Sequence, residues 1–136
     1  AVATEGHGKV NQHFGHATEF QIFELSQAEA LFVGHRRVDL YCQGGYGEEE
    51  TLPSVVNAIN DCHAVLVAKI GACPRDELQA AGIEPVDQYV HEFIESAALQ
   101  WFAGYRQRVA SGAITHQARG DARIRQGAYT SGTEAA

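Results

Sequence analysis

The stretch "AVLVAKIGACPRDELQAAGIEPV", residues 64–86, constrains the fold more than any other part of this chain. Its opening run, 64–70, is almost wholly apolar, the pattern of a strand buried on both faces. "GACP" reads as a turn, Pro74 is placed to start a helix, and Gly82 to stop it. "IEPV", 83–86, then reads as a second short strand. Two strands joined through a helix run parallel, and such crossovers are right-handed. The chain is therefore predicted to be α/β.

The flanking segments extend this unit. "AVAT", 1–4, reads as a short buried strand and 6–17 as a loop rich in Gly and His. "EFQIFEL", 19–25, is a strand with both faces partly apolar, and 31–42 a longer strand, bulged near Gly34. Short turns make these first strands an antiparallel meander. "QGGYGEEE" is a glycine-rich loop leading into a helix over 51–61, where Leu52, Val55, Val56 and Ile59 recur at helical spacing. Acidic residues 48–50 suit the positive amino end of that helix. A last helix, from about 91 to 110, carries Phe93, Ile94, Ala97, Ala98, Trp101, Phe102, Tyr105 and Val109 as a core stripe. The order β-β-β-α-β-α-β-α predicts a ribonuclease H-like mixed sheet of about five strands with flanking helices. Residues 1–110 form the domain. Residues 111–136, with Arg119, Arg123 and Arg125, lose periodicity and read as a flexible tail. A start inside a strand, in a chain without methionine, suggests a domain of a longer polypeptide.

Charge and cysteines narrow the function. A formal net charge of -7 over 136 residues argues against general nucleic-acid binding, which needs a basic face. No apolar run is long enough to span a membrane, and no signal pattern opens the chain. Three cysteines, Cys42, Cys62 and Cys73, stand at wide spacing without a CxxC pair. That argues against a zinc ribbon, a thioredoxin-type site and a disulfide framework, and fits a reducing, intracellular setting.

Strand direction brings distant residues together. Strands 1, 3, 4 and 5 run the same way, so loops 6–17, 43–49, 71–74 and 87–90 emerge at one edge, where ligands of open α/β sheets bind. His13, His16, Cys42 and Cys73 lie in or beside those loops. Imidazole and thiolate together suit zinc or iron, including iron–sulfur clusters. Gly6, Gly8, Gly15, Gly44, Gly45, Gly47 and Gly71 line the same edge and would let backbone N–H groups approach an anion. Lys9, Lys69 and Arg75 could supply positive charge. The plainer alternatives are a solvated His13, a His16 bonded to the loop backbone, and glycines that serve only their turns. Cys62, between a helix end and a buried strand, reads as core. Of the adjacent Arg36 and Arg37, at most one can face a given site. No GxSxG, HExxH or P-loop pattern occurs. A ribonuclease H-type nuclease needs gathered carboxylates, whereas 1–4 has none and Asp39 stands alone on strand 31–42.

"VNQHFGHATEFQIFEL", "YCQGG", "AVLVAKIGACPRDELQAAGIEPV" and "HEFIESA" together resemble the nitrogenase cofactor-assembly family of NifX, NafY and the carboxy-terminal domain of NifB. "GHGKVNQHFGHA" and "YC…KIG" are most similar to the last of these. The resemblance covers residues 1 to about 110. It implies a domain that binds an iron–sulfur precursor of the iron-molybdenum cofactor as cargo and passes it between assembly proteins. The histidine of "HFG", His13, is the implied cluster contact, while relatives often carry a small residue at His16 and vary at Cys73. The candidate cofactor-binding set is His13, His16, Gly15, Cys73, Lys69, Gly44 and Gly45, with His13, His16 and Cys73 as metal ligands. In a NifB-type parent, the radical S-adenosylmethionine chemistry belongs to an amino-terminal domain with a CxxxCxxC motif that this segment lacks. The segment is therefore expected to be no enzyme, cytoplasmic, and partnered by the scaffold and carrier proteins of cofactor assembly. An exposed sheet edge could also pair two copies. The rival expectations are a docking or regulatory domain that holds no cluster and, behind it, a metal-dependent hydrolase.

Overall fold

A computed structural model describes residues 1–38, 42–43, 46–47 and 51–116. A 3₁₀ turn, Phe14–His16, precedes the hairpin of β1 (Glu19–Leu25) and β2 (Ala30–Arg37). A small hairpin follows, β3 (Cys42–Gln43) with β4 (Tyr46–Gly47), and then α1 (Thr51–Ala58). β5 (Ala64–Leu66), α2 (Ala72–Ala80), β6 (Glu84–Val86) and α3 (Ile94–Ala110) complete the order. β5 and β6 are parallel across α2, as the apolar run and its Pro and Gly punctuation require. β1 and β2 are antiparallel, and their register shifts by one residue where Gly34 lies opposite Ile22, which is the bulge expected there.

The protein is mixed α/β, but its described strands pair as two-stranded sheets and not as one ladder of five. The physical reason lies in residues 1–4. Only Val2 forms bridges, antiparallel to Gln21 and parallel to Leu66, so the segment joins the hairpin to β5 through single-residue links. Strand 64–70 is likewise shorter than its apolar run. Val67 N–H still donates to the Val86 carbonyl of β6, and beyond it the backbone turns to loop partners: Ala68 N–H donates to the Gln12 carbonyl and Phe14 N–H to that of Lys69.

Strand alternation sorts the side chains into two cores. Ala3, Phe20, Ile22, Val65 and Val67 pack with Leu52 and Val55 of α1, Ile59 just past its end, and Leu78 of α2. Val2, Ala64, Leu66 and Val86 pack on the opposite face with Ile94, Ala97, Ala98 and Trp101 of α3. Cys62 is buried in the first core, as its position suggested.

Local chemistry sets the helix ends. Gly71 caps α2 in an extended conformation, and Pro74 falls in the first turn, where its missing N–H costs nothing. Gly82 ends the helix at φ +81°, its N–H donating to the Gln79 carbonyl at 3.0 Å. α3 starts three residues later than the apolar stripe indicates, because His91 takes a left-handed φ of +68°. Phe93 therefore leaves the stripe and is 64% exposed. Arg36 is the buried arginine of the adjacent pair: it binds Asp61 and the Ala58 carbonyl at the end of α1 (3.0 Å), while Arg37 is exposed.

Candidate cofactor-binding site

"QHFGH" is built around its phenylalanine. Phe14 is buried to 1% exposure and packs on Phe20, their ring centroids 5.9 Å apart. The backbone on either side is fixed to the segment after β5: His13 bridges Lys69 in parallel, and Phe14 N–H donates to the Lys69 carbonyl at 2.9 Å. Gln12 adds a local tie, its Oε1 accepting from the His13 N–H at 2.8 Å. With Phe14 turned inward, the two histidines that flank it turn out.

A 3₁₀ turn repeats every third residue, so positions i and i+3 eclipse. His13 precedes the turn and His16 ends it, with the His16 N–H donating to the His13 carbonyl at 3.1 Å. Their rings consequently stack, centroids 5.2 Å apart and planes within 8°. Both residues are exposed, and neither ring makes a side-chain hydrogen bond among the described residues. Two imidazoles with open nitrogens stand side by side at the surface. Gly15 is the middle residue of the turn.

The surroundings match part of the expected constellation. Lys69 is exposed beside His13 and makes no ion pair among the described residues. Lys9 sits instead over the Phe93 ring, 5.4 Å from its centroid, and Arg75 binds Asp87 at 2.8 Å. Of the three cations expected at this edge, Lys69 is the one next to the histidines. β3 lies beside the 3₁₀ turn, so the chain at Cys42 returns to the same edge. Gly44, Gly45 and Asp39 lie outside the described residues.

Cys73 is exposed in the first turn of α2. Among the described residues, no three His, Cys, Asp or Glu side chains gather to hold a metal ion, so Cys73 does not complete a three-ligand set with the histidine pair. The pair itself offers one or two nitrogen donors. That is a sparse ligand set, suited to a body that arrives with most of its coordination already filled. Sequence reasoning overlooked Phe14 as the anchor that orients both histidines. Its signal was a lone apolar residue between polar ones in a loop otherwise rich in glycine.

Residues 1–104 match the family described as "Dinitrogenase iron-molybdenum cofactor". This chain belongs to that family. It is 68% identical over 131 residues to the FeMo cofactor biosynthesis protein NifB of Herbaspirillum seropedicae, covering 96% of this chain and 25% of that protein. It is 57% identical over 120 residues to NifB of Bradyrhizobium diazoefficiens, covering 88% and 24%. With NifB of Azotobacter vinelandii the identity is 47% over 117 residues, covering 84% and 23%. The chain thus spans about a quarter of the length of these relatives. No helix among the described residues is long and apolar enough to cross a membrane.

Proposed function

We propose that this domain holds an iron–sulfur precursor of the iron-molybdenum cofactor and delivers it during cofactor biosynthesis. His13 is the primary contact, His16 a second nitrogen donor, and Lys69 a charge that favours an anionic cargo. The observation that carries this reading is the exposed, stacked histidine pair in a chain of the dinitrogenase cofactor family. A cluster in transit needs few, exchangeable ligands, because a full protein coordination sphere would trap it. Cys73 stands outside the ligand set. In a protein of NifB length, the cluster-building chemistry would belong to the rest of the chain, and cytoplasmic scaffold and carrier proteins of nitrogenase assembly would be the partners. The Val2 bridges would then be the seam of a five-strand, ribonuclease H-like sheet.

A second reading, a docking domain that holds no cluster, is favoured by one observation. Phe32 and Phe93, 47% and 64% exposed, rim a groove of about 490 Å³ with Phe23, His35 and Ile94. Exposed aromatic groups of this kind mark contact surfaces. Anaerobic incubation with the isolated precursor cluster, followed by sizing and iron analysis, separates the two. Iron that co-elutes with the chain and is lost in His13→Ala supports the carrier; a chain that elutes without iron and still binds assembly proteins supports docking.

A further inference from the structure

The residue before His13 has its main chain bound on both flanks. Gln12 N–H donates to the Ala3 carbonyl at 3.4 Å, and its own carbonyl accepts from the Ala68 N–H at 2.9 Å. The backbone of Gln12 is thereby tied to the segment of Ala3 and to the segment after β5. Its half-buried side chain folds along the loop, and Oε1 accepts from the His13 N–H at 2.8 Å.

That contact fixes which way the amide is turned. A backbone N–H can only donate, so the side-chain atom facing it must be the oxygen. The amide nitrogen is left on the other branch of the same planar group, beside the start of the turn that carries both imidazoles. It brings two donor hydrogens and no acceptor, and Nε2 makes no hydrogen bond among the described residues. Lys69 supplies a second donor here: its carbonyl accepts from the Phe14 N–H, and its side chain is exposed. Donors beside a pair of nitrogen ligands discriminate by what else the bound body carries. A bare metal ion offers them no acceptor and repels an ammonium, whereas an iron–sulfur cluster presents anionic sulfide.

We infer that Gln12 determines what the histidine pair accepts: its Nε2 donates to a sulfide of a cluster bound through His13, so that a sulfide-bearing cargo is held in preference to a simple divalent ion. This rests on the carrier reading above. A single imidazole leaves a cluster free to rotate about its bond to iron, and the Gln12 donor removes that freedom. Hydrogen bonds to sulfide strengthen the hold without adding a ligand to iron. The cargo therefore still leaves by exchange at one or two nitrogens.

Two variants test this against two probes, the isolated precursor cluster and nickel(II). Gln12→Glu keeps an oxygen for the His13 N–H and replaces the donor with a second acceptor. Gln12→Met keeps a neutral side chain of similar length and removes donor and acceptor together. Iron that co-elutes on anaerobic sizing reports the cluster, and calorimetric titration reports nickel(II). Both variants are expected to retain about tenfold less iron than the unaltered chain, the loss of one hydrogen bond to a charged acceptor. Gln12→Met is expected to bind nickel(II) within about twofold of the unaltered chain, because both imidazoles remain. Unchanged iron retention in either variant would overturn the inference. So would a loss of nickel(II) in Gln12→Met that matches its loss of iron, since Gln12 would then only shape the loop. An unaltered chain that takes up no iron would overturn the carrier reading and this inference with it, whereas iron held equally by all three chains overturns the inference alone.

Discussion

Asp61 receives both terminal nitrogens of Arg36, with Nη2 to Oδ2 at 2.9 Å, in a site where the two side chains are only 4% and 3% exposed. Arg36 also donates to the Ala58 carbonyl, so β2, the end of α1 and the turn before β5 are tied at one point. Neither charge can reach water if the other is removed. Asp61→Ala is expected to lower stability by about 3–5 kcal/mol, the usual cost of stranding a buried charge. Replacing both residues with apolar ones of similar volume should cost less than either single change. Urea denaturation of the two single variants and the double variant measures this; additive losses would show that the two side chains act separately.

Two glycines should respond to the same substitution with opposite signs. Gly6 has a φ of +120°, where a side chain is strained, although nothing lies within 4 Å of an added Cβ. Its loop is held by Thr4, whose Oγ1 donates to the Lys9 carbonyl at 2.6 Å, and by Asn11, whose Oδ1 accepts from the Glu5 N–H at 2.7 Å. The backbone cannot relax freely, so Gly6→Ala should cost about 1–2 kcal/mol. Gly104 lies inside α3 with equally open space and no unusual φ. There the methyl only removes freedom from the unfolded chain, and Gly104→Ala should stabilise by about 0.5–1 kcal/mol. Thermal midpoints of the two variants should move in opposite directions.

The features that single segments encode were legible in the sequence. The stop at Gly82, the bulge at Gly34, the buried run at Val65 and Val67, and the burial of Cys62 each follow from a few neighbouring residues. Pairing is a different matter. An apolar run reports burial, not which backbone will bond to it, so residues 67–70 read as strand although two of their carbonyl and N–H groups serve the "QHFGH" loop. The start of α3 was misplaced for a related reason: the left-handed turn at His91 leaves no mark on apolar spacing. Nor could the sequence show that Arg36 meets Asp61, since the contact depends on where α1 ends. Proximity of His13 and His16 was visible from spacing, but their stacking required the 3₁₀ turn that Phe14 anchors.

Phe14 separates stability from binding at this site. It is fully buried, so Phe14→Ala should cost about 3–5 kcal/mol and loosen the turn that stacks the histidines. His13→Ala and His16→Ala alter exposed side chains that stack on each other but have no side-chain hydrogen-bond partner among the described residues, and each should change stability by no more than about 0.5 kcal/mol. Phe14→Leu keeps an apolar plug and should retain most of the stability. Unfolding curves for all four variants give the ordering. A large loss in either histidine variant would reveal a structural role for the imidazole.

Thiol and imidazole can be distinguished as ligands because the described cysteines differ in access. Cys73 is exposed and Cys62 buried, so a maleimide should label Cys73 in the native chain and Cys62 only on unfolding. If the histidine pair holds the cargo, Cys73→Ser should keep iron retention within about twofold, since a thiol outside the ligand set adds nothing to coordination. His13→Ala should lower retention about tenfold or more, and His16→Ala by less, because one imidazole remains in each variant but only His13 is fixed through the backbone to Lys69. Iron analysis after anaerobic sizing compares the three variants directly. A loss in Cys73→Ser equal to that in His13→Ala would move the thiolate into the coordination sphere and require the amino end of α2 to close on the histidines.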